Sequence, residues 1–342
     1  MRRTEEMKGY IAVAVLGLGI VALFGLIMTY RNYAAVDFAG AKFHAEEACY
    51  KAVRKLYQVT VAQTQILSWY FYALVGLILL LEWAKPVYAK LSVFSVAFFQ
   101  DFLWFLLNAL IMGVVIPIYQ VSLTRFYHSY LGFSRVDRVE TWPAWAQILV
   151  AVLAADFIRW FHHLLRHKVV LFWYFHAVHH SQRDMNLFTD LRVHPVERFI
   201  EASVAFIPFL SLRTDIALAS LSGWFLFGSW YARFYHSNIK TNLGMLRYIM
   251  VTPQSHRIHH SLAMNHRDKN FGAIFSMWDH LFGTQYRNYE EYPDTGVEDT
   301  GFLDETESGW RRSARTFVVQ LVYPFEVAFR STTKWISRGL TS

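Results

Sequence analysis

The spacing of the histidines restricts the structures that this chain can form more than any other feature of its sequence. Thirteen of the fifteen histidines lie between positions 162 and 280, and the motif His-x-x-His-His occurs twice, at 176–180 and at 256–260. On a helix, residues three and four apart share one face, whereas neighbours point about 100° apart. Each motif therefore brings three imidazoles together and directs the last two at different ions. The pattern predicts helices that carry a two-metal site.

A third cluster precedes the first motif. His163 and His167 are one helical turn apart, and Asp156 and Trp160 continue the same face towards the N-terminus. This spacing predicts a ligand pair with Asp156 behind it as a supporting carboxylate. His162 points about 100° away from His163. The spacing alone leaves open whether His162 is a ligand or only a neighbour.

The number of clustered histidines indicates two ions. Eight histidines fall into three clusters with one-turn spacing, whereas a structural zinc ion needs four ligands. Imidazole binds zinc, copper, iron and nickel, so the ligand type does not choose the metal. Because neutral imidazole leaves the charge of the ions uncompensated, we expect carboxylates around the ligands. The candidates are Asp156, Asp184, Asp190, Glu197, Asp268 and Asp279.

The composition is that of a membrane protein. Hydrophobic residues fill 54% of the 342 positions and the mean hydropathy is +0.22, which is more apolar than a soluble domain usually is. The net charge of +7 lies in the connections, which favours loops beside anionic lipid and not a nucleic-acid surface. The single cysteine, Cys49, excludes an internal disulfide and a cysteine-ligated iron–sulfur cluster, and the sequence has no glycine-rich dinucleotide motif. A redox reaction would therefore need an external electron donor.

Apolar runs predict an all-α, polytopic membrane bundle. Four spans are expected, at residues 11–28, 66–81, 93–119 and 142–165. We interpret the first as an uncleaved anchor, because it is long for a signal peptide and no clear cleavage site follows it. Two shorter runs, 199–212 and 216–231, fit a re-entrant or tilted helical hairpin. Asp101 and Asn108, seven residues apart in the third span, are interpreted as a helix-packing stripe.

Charge and topology together predict that the histidines form a metal-binding cap on the cytoplasmic face. Four crossings from a cytoplasmic N-terminus return the chain to that side, and the basic residues around the first cluster agree with the positive-inside rule. We expect three regions: an N-terminal transmembrane region 1–141, a histidine-bearing catalytic region 142–287, and an acidic loop with an interfacial C-terminal tail, 288–342. Within the tail, Pro324 predicts a break or a kink in the helix.

The order of these motifs resembles one known family. Residues 156–167, 173–181 and 252–261 look like the three histidine boxes of the fatty acid hydroxylase and sterol desaturase superfamily, whose members are integral-membrane, non-haem di-iron oxygenases. The segments on either side of the hairpin are also similar, and residues 268–284 match the closing signature of the family. The similarity covers about 155–286.

The resemblance implies a reaction and a set of ligands. Proteins of this superfamily bind two irons, use dioxygen, and hydroxylate or desaturate a lipid such as a sterol or a fatty acyl chain. The implied iron ligands are His163, His167, His176, His179, His180, His236, His256, His259 and His260. His162 is an alternative first ligand, and His194 is a weaker tenth.

Two other classes of protein compete with the oxygenase interpretation. A membrane transporter or metal-binding protein for zinc or iron should place its ligands near the midplane of broken helices, whereas these histidines flank charged residues at the ends of spans. A hydrolase with a dinuclear centre usually carries bridging carboxylates, which weakens that alternative here. The oxygenase hypothesis is preferred, with hydroxylation and desaturation both left open.

Overall fold

The computed structural model describes residues 69–88, 96–212, 215–302 and 310–339. These residues form helices with short connections, and within them there are isolated β-bridges but no β-strand. The helices are α1 Trp69–Ala84, α2 Val96–Leu110, α3 Ile116–Phe126, α4 Ala144–Lys168, α5 Val170–His180, α6 Pro195–Leu212, α7 Asp215–His236, α8 Pro253–His259, α9 Met277–Phe282 and α10 Trp310–Gly339. The all-α class predicted from the sequence is confirmed for the described part of the chain.

Helices lie where the apolar runs predict them. Helix α1 matches the run at 66–81, and α6 and α7 match the two arms of the expected hairpin. The run at 93–119 forms α2 and α3, joined without interruption by a π-helical turn at Ile111–Val115. The first predicted span, 11–28, lies outside the described residues.

One helix of the described part, α4, is both long and apolar enough to cross a membrane. Helices α1 and α2 are apolar but shorter, with 16 and 15 residues. The number of crossings and the side of the membrane on which the histidines lie therefore stay predictions.

Helix α4 is the centre of the fold, because α5, α6 and α7 all pack against it. Ala151 and Ala155, one turn apart, are fully buried and let the neighbouring helices approach closely. The chain then turns at Val169, whose backbone is extended. This single residue ends α4 and folds α5 back on it. As a result, the ring of His167 on α4 lies 4.9 Å from that of His176 on α5, measured between centroids.

A polar brace joins α2 to the segment that follows α5. The Asp101 carboxylate accepts hydrogen bonds from four side chains of that segment at 2.5–2.8 Å: Gln182, Asn186, Thr189 and Arg192. Asn108 donates to the carbonyls of Leu191 and Val193 at 2.8 and 3.0 Å. The two polar residues of α2 therefore face the bundle interior, as expected of a packing stripe, and they fix the 182–193 segment through hydrogen bonds.

Helix α10 continues through Pro324, so the alternative of a break at this position is wrong. Contacts on both sides of the proline hold the helix against the bundle. Gln320 accepts a hydrogen bond from the Trp104 indole at 2.9 Å, and Tyr174 donates to Ser331 at 2.6 Å. Packing therefore outweighs the loss of one backbone donor at Pro324.

Candidate metal centre

Nine histidines converge in two adjacent groups. The five-histidine cluster consists of His163, His167, His176, His180 and His259, and the four-histidine cluster consists of His179, His236, His256 and His260. Within each cluster the potential ligand nitrogens all lie within 4.8 Å of one another. The clusters are in contact, because the rings of His180 and His260 stack with centroids 4.2 Å apart.

Each His-x-x-His-His motif contributes to both clusters. In the first motif, His179 belongs to the four-histidine cluster and its neighbour His180 to the five-histidine cluster. In the second motif the order is reversed, since His259 belongs to the five-histidine cluster and His260 to the other. The helical phase predicted from the sequence produces this division.

Local structure places the second motif. Helix α8 has only seven residues, but Thr252 caps it: its hydroxyl accepts from the Ser255 N–H at 2.9 Å, and the Ser255 hydroxyl accepts from the Thr252 N–H at 2.9 Å. Pro253 fits the first helical position, where no backbone donor is needed. These features allow a very short helix to present three imidazoles.

The Nε2 atoms of the four-histidine cluster point at one another. His236 Nε2 lies 3.2 Å from His179 Nε2 and 2.8 Å from His256 Nε2. The Nε2 atoms of His256 and His260 are 3.1 Å apart. Neighbouring imidazole ligands of one ion, each bound at the usual metal–nitrogen distance of 2.0–2.1 Å, would have nitrogens about 3 Å apart. These separations suit a shared metal ion.

The five-histidine cluster has the same character. The Nε2 atoms of His176 and His180 are 3.2 Å apart. The Nε2 atoms of His163, His167 and His259 are buried and have no hydrogen-bond partner in the described part of the chain. Buried polar atoms normally have a partner. Three unpartnered nitrogens that face each other therefore fit a bound cation.

The opposite ring nitrogens explain why the Nε2 atoms are available. In four histidines, Nδ1 lies 2.7–3.0 Å from an oxygen that can only accept a hydrogen bond. The oxygen is a backbone carbonyl for three of them: Phe271 for His163, Lys269 for His259 and Ala232 for His236. For His176 it is the Glu197 carboxylate. Nδ1 must carry the proton in these rings, which leaves the Nε2 lone pair free to bind a metal. Glu197 also accepts from Arg166.

Burial also favours metal binding. It lowers the pKa of His259 to about 4, and it holds the pKa of His256 and His260 well below the ordinary value. Neighbouring imidazoles add to this effect at the last two residues. Neutral rings are the form that binds metal. At neutral pH these imidazoles therefore need not release a proton before they bind an ion.

Backbone carbonyls of the segment from Asp268 to Asp279 accept hydrogen bonds from the Nδ1 atoms of two candidate ligands, His163 and His259. The Asp279 carboxylate accepts from the N–H groups of Phe271 and Gly272 at 2.8 and 2.7 Å, which positions the Phe271 carbonyl at His163. Asn270 has a positive φ of 58° and donates to the Ser255 carbonyl at 2.8 Å. A Cβ atom on Gly272 would lie 2.6 Å from Val251 and 2.9 Å from the Phe275 carbonyl oxygen, so this close approach requires glycine.

The comparison with known families agrees with this geometry. The sequence model of the fatty acid hydroxylase family matches residues 148–284, which include all nine clustered histidines. Over these residues the chain is similar to the fatty acid hydroxylase and sterol desaturase superfamily. The resemblance stated from the histidine boxes is thereby confirmed. No solved structure matches the chain.

Several curated proteins are also similar to this chain. The ornithine lipid hydroxylase OlsE of Rhizobium tropici is 27% identical over 199 residues, which cover 58% of this chain and 54% of that protein. Human alkylglycerol monooxygenase is 32% identical over 134 residues, 39% of this chain and 29% of that protein. The zebrafish (Danio rerio) alkylglycerol monooxygenase is 28% identical over 217 residues, 63% of this chain and 46% of that protein. The chain thus spans about half or less of the length of the curated relatives that it matches.

Three residues considered as part of the metal site lie outside both clusters. His162 is buried but belongs to neither cluster. Both nitrogens of His194 are engaged with the backbone, because Nδ1 accepts from the Val196 N–H at 3.2 Å and Nε2 donates to the Leu321 carbonyl at 3.0 Å. Asp156 accepts from Phe275 N–H and the Trp278 indole, so it supports the 268–279 segment and contacts no clustered histidine.

Of the other carboxylates that were considered, Glu197 alone bonds directly to a clustered histidine among the described contacts. Asp279 acts through the backbone of Phe271, and Asp268 pairs with Lys168 at the surface. Asp184 lies beside Gln182, to which its N–H donates. Asp190 faces a cavity.

That cavity, of about 200 Å³, opens on both clusters. His163, His176, His179, His236 and His256 line one part of it. Apolar residues line another part, including Phe105 of α2, Met112 of the π-helical turn, Ala202 of α6 and Phe225 of α7. Charged residues also line it, and three of them, Arg198, Glu201 and Arg233, were missed by the sequence analysis. A signal was present, because ionisable residues within otherwise apolar helices usually face the interior and serve a function.

Proposed function

We propose that this protein is a membrane-bound, non-haem di-iron oxygenase that hydroxylates a lipid with dioxygen and an external electron donor. The observation that carries the proposal is the pair of adjacent buried histidine clusters, with five and four converging nitrogens, beside a cavity that admits part of a substrate. The match of residues 148–284 to the fatty acid hydroxylase family supports the same reaction class.

Two iron ions are proposed because of the number and kind of the donors. Nine imidazoles exceed the needs of one ion, and their division into two groups in contact supports a dinuclear centre. Imidazole also binds other metals, so the choice of iron rests on the family. When bound, the ions would supply the activation of dioxygen that oxidation of an unactivated C–H bond requires.

The residues of the chain position the ligands and shape the reaction space. Glu197 and the carbonyls of Lys269 and Phe271 orient three rings of the five-histidine cluster. The Ala232 carbonyl does the same for His236. The apolar part of the cavity would hold the reacting portion of a lipid and keep bulk water away from it.

A membrane location is proposed from exposed apolar surface. Trp69 and Trp83 of α1 are 80% and 68% exposed, and Trp145 of α4 is 68% exposed. Large apolar side chains exposed together indicate contact with lipid or with another protein. Because α4 is also long enough to span a bilayer, lipid is the preferred environment. The positive-inside rule supports a cytoplasmic position for the histidines.

Hydroxylation is preferred to desaturation because the relatives are named a lipid hydroxylase and monooxygenases. An external donor is proposed because the sequence has no dinucleotide motif and only one cysteine, so it offers no recognisable carrier for two electrons. Purified protein supplied with lipid and oxygen should therefore stay inactive until a membrane extract or a defined reductant is added.

Isotope labelling tests the reaction. Cells that produce the protein are grown under ¹⁸O₂, and their lipids are compared by mass spectrometry with those of cells that produce the His180→Ala variant. We expect one lipid class to gain an oxygen that carries the label, in the wild type only. Label from water alone would favour hydrolysis. Unchanged lipids with an altered cellular distribution of zinc or iron would favour the transporter alternative.

A further inference from the structure

More guanidinium groups than carboxylates line the cavity beside the histidine clusters. Three arginines that are not paired with Glu197 line it, Arg159 on α4, Arg198 on α6 and Arg233 on α7. Two carboxylates, Asp190 and Glu201, line the same cavity. Arg159 is half-buried and interacts with Asp156, so the buried charge left to balance is that of Arg198 and Arg233. We call Arg159, Arg198 and Arg233 the arginine group.

Two members of the arginine group are buried with donors left over. Arg233 is 1% exposed; its Nη1 donates to Ser229 at 3.0 Å, but its Nε is buried and has no partner within the described residues. Arg198 donates to Asn108 at 3.1 Å and to Glu201 at 2.6 Å, and its Nη2 is buried and unpartnered. Buried charges are costly unless they are paired and hydrogen-bonded.

Asp190 balances the charge of Arg198 and Arg233 only in part. It lies near both arginines, yet its Oδ1 is buried without a partner among the described residues. Burial raises the pKa of Asp190 to about 7, so near neutral pH the group is only partly ionised. Glu201 is already paired with Arg198. Arg198 and Arg233 also repel each other. The arrangement therefore favours an anion that enters from outside the protein.

We propose that the arginine group binds an anionic oxygen group of the substrate, a carboxylate or a phosphate. That the anion belongs to the substrate rests on the proposed oxygenase function, whereas anion binding by the arginine group does not. The cavity is only about 200 Å³ and also touches five clustered histidines. The anion and the oxidised C–H bond should therefore belong to the same small part of the lipid, close to its head group and not far along a chain. Planar guanidinium groups suit both anions.

Binding of four twelve-carbon probes tests the site. Purified full-length protein in a neutral detergent is titrated by calorimetry with dodecanoate, dodecyl phosphate, dodecanol and dodecylamine. We expect at least one of the two anions to bind about tenfold or more tightly than dodecanol, and the better anion identifies the group. Equal affinity for dodecanol, or tightest binding of dodecylamine, would overturn the proposal.

Variants separate a direct role from a general loss of structure. Arg233→Gln should weaken anion binding about tenfold and change dodecanol binding less than about twofold. Arg267→Gln is the control, because Arg267 is a half-exposed arginine outside the cavity. If Arg233→Gln fails to fold, Arg198→Gln carries the same expectation. Equal weakening of every probe by the folded variant would contradict the assignment.

A variant of Asp190 should change anion affinity in the opposite direction from Arg233→Gln. Its carboxylate faces Arg233 of α7, Arg198 and Glu201 of α6, and Asp101 of α2. As pH rises from 6 to 8, Asp190 ionises and competes for the arginines, so for any one probe the anion affinity of the wild type should fall relative to that of Asp190→Asn. Comparison of the two proteins at each pH cancels the titration of the probe itself, such as the second ionisation of dodecyl phosphate at about pH 6. Asp190→Asn should bind the anion more tightly than the wild type at pH 8, with a smaller difference at pH 6. Weaker anion binding by Asp190→Asn would count against the site.

The outcome is separable from that of the oxygenase proposal. Loss of ¹⁸O labelling with selective anion binding would remove the proposed reaction and keep the site. Labelled product together with no preference for anions would keep the oxygenase and reject the arginine group as its anion site.

Discussion

The two histidine clusters differ in the groups that lie behind their ligands. In the five-histidine cluster, the outer nitrogens of three rings bond to Glu197 and to the carbonyls of Lys269 and Phe271. In the four-histidine cluster, the described contacts give such a partner to one ring, where His236 meets the Ala232 carbonyl. A supporting carboxylate orients its ligand and offsets the charge of an ion. The contrast predicts two metal positions that bind with unequal strength.

The largest expected effect is the loss of one ligand from either cluster. His259→Ala and His256→Ala should each abolish detectable lipid oxidation, because a dinuclear reaction needs both ions. Elemental analysis should show metal falling from about two equivalents to about one or less. His266→Ala is a matched control, since His266 is a buried histidine that binds Ser261 and Glu291 instead. Full activity of either cluster variant would refute a two-ion centre.

Glu197→Gln tests the contrast directly. The amide keeps a hydrogen-bond acceptor for His176 but removes the negative charge, so metal affinity should fall about 10- to 100-fold at the five-histidine cluster. Competition with a chelator measures this change. The control is Glu298→Gln, which removes the same charge from an exposed ion pair with Arg267. If both variants weaken metal binding equally, the direct contact of Glu197 with His176 has no special role.

Stepwise removal of metal should show which cluster is weaker. In wild-type protein treated with a chelator, we expect the four-histidine cluster to release its ion first, with a plateau near one equivalent, because it has fewer ligands and no carboxylate in contact with them. Metal analysis over time, together with the His256→Ala variant, identifies the ion. Simultaneous release of both ions would show that the clusters do not differ in strength.

The smallest effect is expected at His162. This residue lies beside the five-histidine cluster in sequence but outside it in space. His162→Ala should keep two equivalents of metal and at least partial activity. His163→Ala should lose activity and hold about one equivalent of metal or less. The reverse result would mean that the first box uses the longer spacing, from His162 to His167.

Eight of the nine clustered histidines were predictable because their spacing is helical and local, whereas His236 was predicted only through the family resemblance. One-turn spacing and the neighbouring pairs 179–180 and 259–260 determine the division between the clusters. Helices α1, α2, α4, α6 and α7 were also predictable from apolar runs, apart from their exact ends, whereas the continuity of α10 through Pro324 was not. Local patterns were sufficient for these features.

Contacts between distant segments were harder to predict. Asp156 shares a helical face with His163, but seven residues separate them by about 10 Å along the axis, too far for a bond. Glu197 reaches His176 because α6 packs near α5, and Arg198, Arg233 and Asp190 meet only after α6 and α7 fold against α4. No periodicity within a single segment reports such an arrangement.

The polar brace between α2 and the 182–193 segment has a consequence for the boundaries of the folding unit. Asp101 and Asn108 lie outside the region 148–284 that matches the family, yet they bind its interior. A protein truncated to the matched region would lose the common acceptor of Gln182, Asn186, Thr189 and Arg192. We expect this loss to destabilise the truncated protein. Chimeras between relatives should therefore exchange α2 together with the histidine region, because the histidine region alone would lack the hydrogen bonds of Asp101 and Asn108 to the 182–193 segment.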